Sequence, residues 1–244
     1  GAESKHFLHW LSETSAGSWQ ILPLVPIGAG HSPYSSPSAF SGNPLLISLI
    51  ELQREGWLTS EELHHFCEEA RSWGLDEVHF DALIPLKQQL LNTAAQRFID
   101  TPGSHHLSLE QFYVAQSDWL EEAALFQALN QSSDYQGPWW TWGDALVTRE
   151  PTALTEVKAI YTNEIKCFKV IQLWFQQQWD QLKSLADELN IDLIGDVPIY
   201  VDHHSADVWC NQELFSLTKS GSPIAVAGVP PDAFSDTGQL WGNP

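Results

Sequence analysis

Apolar positions recur at helical spacing through most of this chain and gather into short continuous runs at two places. Phe7, Leu8 and Leu11 share one face of a helix predicted over 5–14. Trp19-Gln-Ile-Leu-Pro-Leu24 reads as a short apolar strand, closed by Pro23 and Pro26. Asn43 and Pro44 form an N-cap and N1 pair, opening a helix that carries Leu45, Leu46, Ile50 and Leu52. Thr59-Ser-Glu-Glu62 is a capping box, and helix-period positions follow over 82–99, 108–115 and 118–129. Trp139-Trp-Thr-Trp142 interrupts this block, and Pro151 starts a long helix that reaches Glu188. The second apolar run, from Ile191 to Val201, reads as a buried strand in which Pro198 makes the pairing irregular.

Between these elements lie two loops too long to be idle connections. Val25 to Asn43 is rich in Gly, Pro and Ser, and the chain from Asn211 onward is loop-rich again. The order is helix, strand, loop, large helical insert, strand, loop. It predicts an α/β protein with parallel strands and a site at their C-terminal ends.

Charge narrows the function classes. Eleven Lys and Arg against 31 Asp and Glu give a net charge of −20, spread along the chain. Such a surface repels phosphate backbones and anionic lipid, which argues against nucleic-acid and membrane partners and suits a neutral substrate. No apolar run approaches the ~20 residues of a membrane span, and no secretory signal is visible. Cys67, Cys167 and Cys210 are scattered, which fits a reducing compartment, either a cytoplasm or a plastid stroma. There is no Met, and the last residues stop within a loop motif, so the chain is expected to be open at both ends.

Three segments carry candidate chemistry. The loop from Gly28 to Pro44 lacks the Lys-Ser/Thr of a phosphate-binding P-loop. It offers hydroxyls at Ser32, Tyr34, Ser35, Ser36 and Ser38 beside the rings of Tyr34 and Phe40. A sugar presents hydroxyl edges and an apolar face, so both kinds of group are wanted; a structural turn uses the same residues. Asp196 sits within the second apolar run, where an ionised carboxylate is costly unless well bonded, and strand-end acids in barrels serve active sites. His203 and His204 are adjacent and would diverge on an extended chain, which disfavours a metal site. The loop from Val226 to Pro244 sets Phe234 and Trp241 among Asp232, Gln239 and Asn243, and Pro230-Pro231 stiffens it. Trp139, Trp140 and Trp142 suit either core packing or stacking on sugar rings.

These loops resemble the amylomaltase and disproportionating-enzyme family of 4-α-glucanotransferases. The resemblance rests on Ile21-Leu-Pro-Leu24, Ser32-Pro-Tyr34, Ser38-Ala-Phe40 and Gly42-Asn-Pro44. It continues through Trp119 to Phe126, Trp139 to Trp142, Gly195 to Val201 and Ser205 to Trp209. Ala227-Gly-Val-Pro-Pro-Asp232, Thr237-Gly-Gln239 and Trp241-Gly-Asn-Pro244 match it most fully.

The resemblance implies part of a (β/α)8 TIM-type barrel with a large helical insertion, incomplete at both ends. Residues 1–58 would be a barrel segment with the first substrate loop, and 59–150 the helical insertion. Residues 151–244 would hold the long helix, a barrel strand and the substrate-covering loop. The implied activity is retaining transfer of α-1,4-glucan segments between maltooligosaccharides, starch or glycogen, without cofactor or metal. Ser32, Tyr34, Asp196, Asp232, Phe234, Gln239, Trp241 and Asn243 would bind the glucan. The nucleophilic Asp and the acid Glu would lie past Pro244, so no catalytic residue is assigned within the chain. Ala29 and Ala233 stand where many relatives carry tyrosine, and His31 and His204 where many carry an acid. A related α-glucan hydrolase and a non-catalytic glucan-binding protein are the alternatives.

Overall fold

The structure, a computed structural model, describes residues 1–74 and 76–244. In chain order its helices are α1 (Ala2–Glu13), α2 (Leu49–Arg54), α3 (Ser60–Arg71), α4 (Phe80–Asp100) and α5 (His105–Ala115). They continue with α6 (Leu120–Gln131), α7 (Asp144–Val147), α8 (Pro151–Ile160), α9 (Thr162–Glu188) and α10 (Ala206–Cys210). The strands are short: β1 (Ser18–Gln20), β2 (Asp192–Ile194), β3 (Gly228–Val229) and β4 (Gln239–Leu240). None of the described helices is long and apolar enough to cross a membrane. The chain forms two compact units, one of residues 1–24, 42–117 and 166–196, the other of 25–41, 118–165 and 197–244.

In the first unit β1 and β2 pair in parallel, with Trp19 opposite Leu193. The ladder extends at both ends, since Asp192 donates to the Gly17 carbonyl and Ile21 to that of Ile194, each at 2.9 Å. Parallel neighbours need a long crossover, and here everything between Gln20 and Asp192 provides it. Leu8 and Leu11 of α1 meet Leu182 and Ala186 of α9 and Ile191 in one buried cluster, against which Trp19 and Leu193 pack. Apolar spacing on α1 therefore became the cover of the strand pair.

Two glutamines of α9 hold the returning chain. The Gln172 carboxamide, 2% exposed, accepts from the Gly42 N–H at 2.7 Å and donates to its carbonyl at 3.0 Å. Gln178 does the same to Ser48, at 2.7 and 3.3 Å. Each side chain thus imitates a neighbouring strand, satisfying backbone groups that have no ladder of their own. Gly42 is required by space, because a Cβ there would lie 2.0 Å from the Phe175 ring. The clip at Ser48 also explains one departure from expectation. The helix predicted from Pro44 splits into a single 3-10 turn, Pro44–Leu46, and α2, with Ile47 and Ser48 extended between them.

The capping box forms as expected, Glu62 N–H to Thr59 Oγ1 at 3.2 Å and Thr59 N–H to Glu62 Oε2 at 2.9 Å. Glu62 is shared: both its oxygens accept from Arg97 of α4 at 2.7 Å. Those bonds hold its carboxyl down at about 2. Lys87 of α4 is buried and donates to the Leu45 carbonyl at 2.7 Å, and burial pulls its ammonium down to about 8.

Three further expectations are corrected. The strand predicted over 191–201 ends at Ile194, and Val197 and Ile199 are 74% and 90% exposed. Pro198 has no N–H to offer a ladder, and among the described residues β2 pairs with β1 alone. The helix predicted from Pro151 to Glu188 breaks at Tyr161, whose hydroxyl is held between Ser132 at 2.7 Å and Asp134 at 2.9 Å. Likewise the apolar run from Trp19 contributes only Trp19 and Gln20 to β1.

The second unit is built around α6, whose Leu120, Ala124, Leu125, Phe126 and Leu129 are buried. Phe126, Trp142 and Trp209 meet with ring centroids 5.4–6.0 Å apart. The indole N–H groups do not go unpaired: Trp139 donates to His203 O at 2.7 Å, Trp142 to Gly137 O at 3.0 Å and Trp209 to Leu146 O at 2.9 Å. Trp139 and Trp142 are thus core residues, and Trp140 is stacked on His203 at 3.8 Å. His204 lies in the same layer. Its Nδ1 accepts from the Trp139 N–H at 3.1 Å and its Nε2 faces Asn130 Oδ1 at 2.8 Å. That pattern fits the neutral ring with Nε2 carrying the proton. Burial lowers the pKa of both His203 and His204, against the pull of Asp202.

Two outcomes follow from these contacts. Gln172→Leu strands the buried Gly42 amide and carbonyl, and we expect a loss of about 2–4 kcal/mol in urea unfolding; a loss below about 0.5 kcal/mol would contradict the clip. The histidines make the second unit acid-sensitive. A depressed folded-state pKa means the unfolded chain binds the proton first, so stability is full above 6.5 and falls as pH drops below it. His204→Asn, which keeps an acceptor near the Nδ1 position, should flatten that part of the pH–stability curve; an unchanged curve would remove His204 as its source.

Candidate functional site

The first loop is shaped by its own hydroxyls. Ser32 caps the 3-10 turn Pro33–Ser35, its Oγ accepting from the Tyr34 N–H at 3.2 Å. Ser36 Oγ donates to Ser38 O at 2.8 Å, and Ser38 Oγ lies 2.8 Å from Ser41 Oγ. Ser36, Ser38 and Ser41 are buried, whereas Tyr34 is 45% and Phe40 67% exposed. So most of the serine hydroxyls build the turn, and the aromatic rings face outward.

α10 anchors this loop. The Ala206 N–H donates to Pro37 O at 2.9 Å, and Asp207 Oδ2 accepts from the Ala39 N–H at 2.8 Å. Burial raises the Asp207 pKa, a cost offset by that bond. The helix starts here because Ser205, fully buried, caps it through the Val208 N–H at 3.2 Å. Asp207 is a residue that sequence reasoning passes over as part of a motif. Its signal is the Ser205 cap, which fixes an acid in the first helical turn.

The second loop is a hairpin. β3 and β4 pair antiparallel, Gly228 with Leu240 and Val229 with Gln239. Asp232 organises the connection: its Oδ1 accepts from the N–H of Phe234 at 2.8 Å and of Ser235 at 2.9 Å. Ser235 Oγ then donates to Gly238 O at 2.7 Å. Phe234 is thrown outward at the tip, 94% exposed. Trp241 donates its indole N–H to Gln239 Oε1 at 3.0 Å, and its ring lies 5.8 Å from that of Tyr200 at 57°. Asn243 closes the loop, its Nδ2 donating to Val201 O at 2.7 Å and its carbonyl accepting from the Ala227 N–H at 2.8 Å.

One hairpin therefore gathers Asp232, Phe234, Gln239, Trp241 and Asn243, and Tyr200 joins it unforeseen. The clue to Tyr200 is Pro198, which ends the strand and frees the chain to turn back. Ser32 and Tyr34 belong to the separate loop anchored on α10. Asp196 is the last residue of the first unit, exposed and beyond the end of β2 rather than inside a strand. The arrangement offers exposed aromatic faces beside carboxylate, carboxamide and hydroxyl groups, which suits an uncharged polyhydroxy ligand. The adjacent His203 and His204 are committed to Gly221 and to Trp139 and Asn130. Among the described residues no group of three His, Cys, Asp or Glu side chains is placed to hold a metal.

Known proteins share this sequence and fold throughout. The chain is 41% identical over 246 residues to the chloroplastic/amyloplastic 4-alpha-glucanotransferase of Arabidopsis thaliana, covering all of this chain and 42% of that protein. It is 39% identical over 245 residues to the 4-alpha-glucanotransferase of Thermus thermophilus, again covering all of this chain and 47% of the relative. The solved amylomaltase from Streptococcus agalactiae in complex with acarbose matches all of this chain with 48% of its own, at 36% identity and a TM-score of 0.92. The chain thus spans less than half the length of the relatives it matches. Its mostly helical α/β fold is that of the amylomaltase over the shared part. The family model described as 4-alpha-glucanotransferase matches residues 1–244, so by sequence and by fold this chain belongs to the 4-alpha-glucanotransferase family.

Proposed function

We propose that residues 1–244 form the glucan-binding part of an enzyme that transfers α-1,4-glucan segments between maltooligosaccharides, or starch- and glycogen-type chains. The observation that carries this reading is the family match along every residue, loops included. β1 and β2 are two strands of a (β/α)8 barrel, residues 59–150 its helical insertion and 151–244 the segment with the covering loop. The site residues are Ser32, Tyr34, Asp196, Asp232, Phe234, Gln239, Trp241 and Asn243, and the substrate is a neutral glucan in a cytoplasm or plastid.

The chemistry is retaining, with a nucleophilic carboxylate and an acid/base carboxylate about 5–5.5 Å apart. We assign both to sequence past Pro244. Within this chain Phe234 and Trp241 stack on sugar faces, while Asp232 and Gln239 turn their remaining lone pairs and the Gln239 N–H groups to hydroxyls. Asn243 holds the hairpin to Val201 and so sets where the rings stand. A covering loop that excludes water favours a sugar acceptor over hydrolysis.

Incubated with maltotriose, the full-length protein should give glucose together with longer oligomers; only shorter sugars would mean a hydrolase, and no turnover would sink the enzyme reading. Phe234→Ala should leave thermal unfolding unchanged, because the ring is 94% exposed. The same change should raise KM for maltotriose by about five- to tenfold, the worth of one stacked ring. Trp241→Ala should shift products toward hydrolysis, read as the ratio of reducing ends to transferred glucose; an unaltered ratio would remove the covering role.

A further inference from the structure

A second concave surface lies in the first unit, on residues the proposed function does not use. A cavity of about 270 Å³ opens among the C-terminal ends of α2 and α4, α5 and the middle of α9. Trp57, Phe98 and Trp174 form its aromatic wall, and Glu55, Ser108 and Gln177 its polar edge. Phe98 lies 4.9 Å from Trp57 at 52° and 5.8 Å from Trp174 at 86°, so the three rings pack on one another at steep angles.

The sequence builds this place deliberately. α2 ends in Glu55-Gly-Trp57, where Gly56 takes φ +87° and the Trp57 N–H reaches back to Leu52 O at 2.9 Å. Only glycine adopts that left-handed turn at no cost. The turn carries Trp57 onto α4, where Arg97 binds its carbonyl at 3.1 Å. The Glu55 carboxyl lies beside the Trp57 ring, and burial pushes its pKa up against the opposing influence of the indole. Phe98 and Trp174 are 3% and 1% exposed, which leaves Trp57 and the partly buried His105 as the rings able to meet a ligand.

We propose that this cavity is a second carbohydrate site, taking one glucosyl ring of an α-glucan apart from the substrate loops. This rests on the glucan reading above. Three features select the ligand. The volume falls just below the ~300–1,000 Å³ of ordinary small-molecule sites, which suits a single ring. A carboxylate, a hydroxyl and a carboxamide supply donors and acceptors together, as paired sugar hydroxyls require. An organic cation would use the rings and Glu55 but leave the Gln177 and Ser108 donors without purpose. Its function would be to hold a long glucan while its end is processed, raising the local concentration of substrate.

Tryptophan reports on both places, Trp57 in the cavity and Trp241 in the hairpin. The full-length protein labelled with 5-fluorotryptophan is titrated with maltose and followed by 19F NMR, the signals being assigned by Trp57→Phe and Trp241→Phe. Both signals should move, with separate midpoints, and Gln177→Ala should weaken the Trp57 midpoint about tenfold while the Trp241 midpoint stays. Ser108→Ala, at an exposed position, gives the same test should Gln177→Ala disturb the fold. Movement of Trp241 alone overturns the second site and leaves the glucan reading intact; movement of neither removes both. A Trp57 response to tetramethylammonium but not to maltose means a cation site, and one midpoint shared by both signals and blind to Gln177→Ala means an indirect effect. Either result overturns the proposal.

Discussion

The first unit depends on two amide side chains that behave as backbone. Gln172 and Gln178 stand six residues apart on α9 and clip Gly42 and Ser48, on either side of the 3-10 turn Pro44–Leu46, with the same sequence offset of 130. A chain leaving a long loop for a buried path has N–H and C=O groups with no ladder to join, and leaving them bare costs about 1–3 kcal/mol each. A helix cannot offer its own backbone, because its amides are already paired. A carboxamide can, because its oxygen and one of its two N–H groups lie in the geometry of a peptide group. Gly42 then has to lack a side chain, since the approach that lets Gln172 reach it also brings Phe175 against its Cα. Once that stretch is fixed, Leu45 O is placed for Lys87 and α2 is placed for its turn into Trp57.

The second unit solves a related problem with tryptophan. A buried indole contributes a large apolar surface but brings an N–H that must be satisfied. Trp139, Trp142 and Trp209 each find a carbonyl in a loop or at a helix end, so each ring also tethers an irregular segment. Trp139 is the most consequential, because its indole holds His203 O while its backbone N–H is held by His204. His204 is therefore packed as a neutral ring, and burial disfavours the charged form of both histidines, so the core can be sensitive to acid.

This explains what could be read from the chain and what could not. Local rules hold where they are local: the capping box at Thr59 and Glu62 and the apolar face of α1 appear as the spacing indicates, and Asn43 caps Pro44 at N1, though the helix expected to follow is cut to a 3-10 turn. Strand ends are not marked by the apolar run itself. An apolar run such as Ile191 to Val201 is compatible with burial, but pairing ends where partner and N–H run out, at Ile194 and Pro198. The tryptophan cluster could be read two ways because ring chemistry is the same in a core and in a sugar site; only burial separates them. The Gln172 clip was not legible at all, since nothing in a helix sequence marks a glutamine whose partner is a backbone 130 residues away.

The candidate site follows from the same economy. In the hairpin each polar side chain also shapes the backbone around it, Asp232 Oδ1 fixing the turn, Gln239 Oε1 fixing Trp241 and the Asn243 amide fixing Val201. None of them is thereby exhausted, because a carboxylate has further lone pairs and a carboxamide has a second pole. A loop organised in this way loses little freedom when a ligand arrives, and binding free energy that would go to ordering it remains available for contact. The strongly negative surface bears on the choice of ligand. With a net charge of −20 and carboxylates turned to the solvent, an anionic substrate would be repelled, whereas a neutral polyhydroxy chain meets no such field. Rigid aromatic rings on turns pinned by carboxylate and amide groups suit that ligand, and they require no charge to attract it.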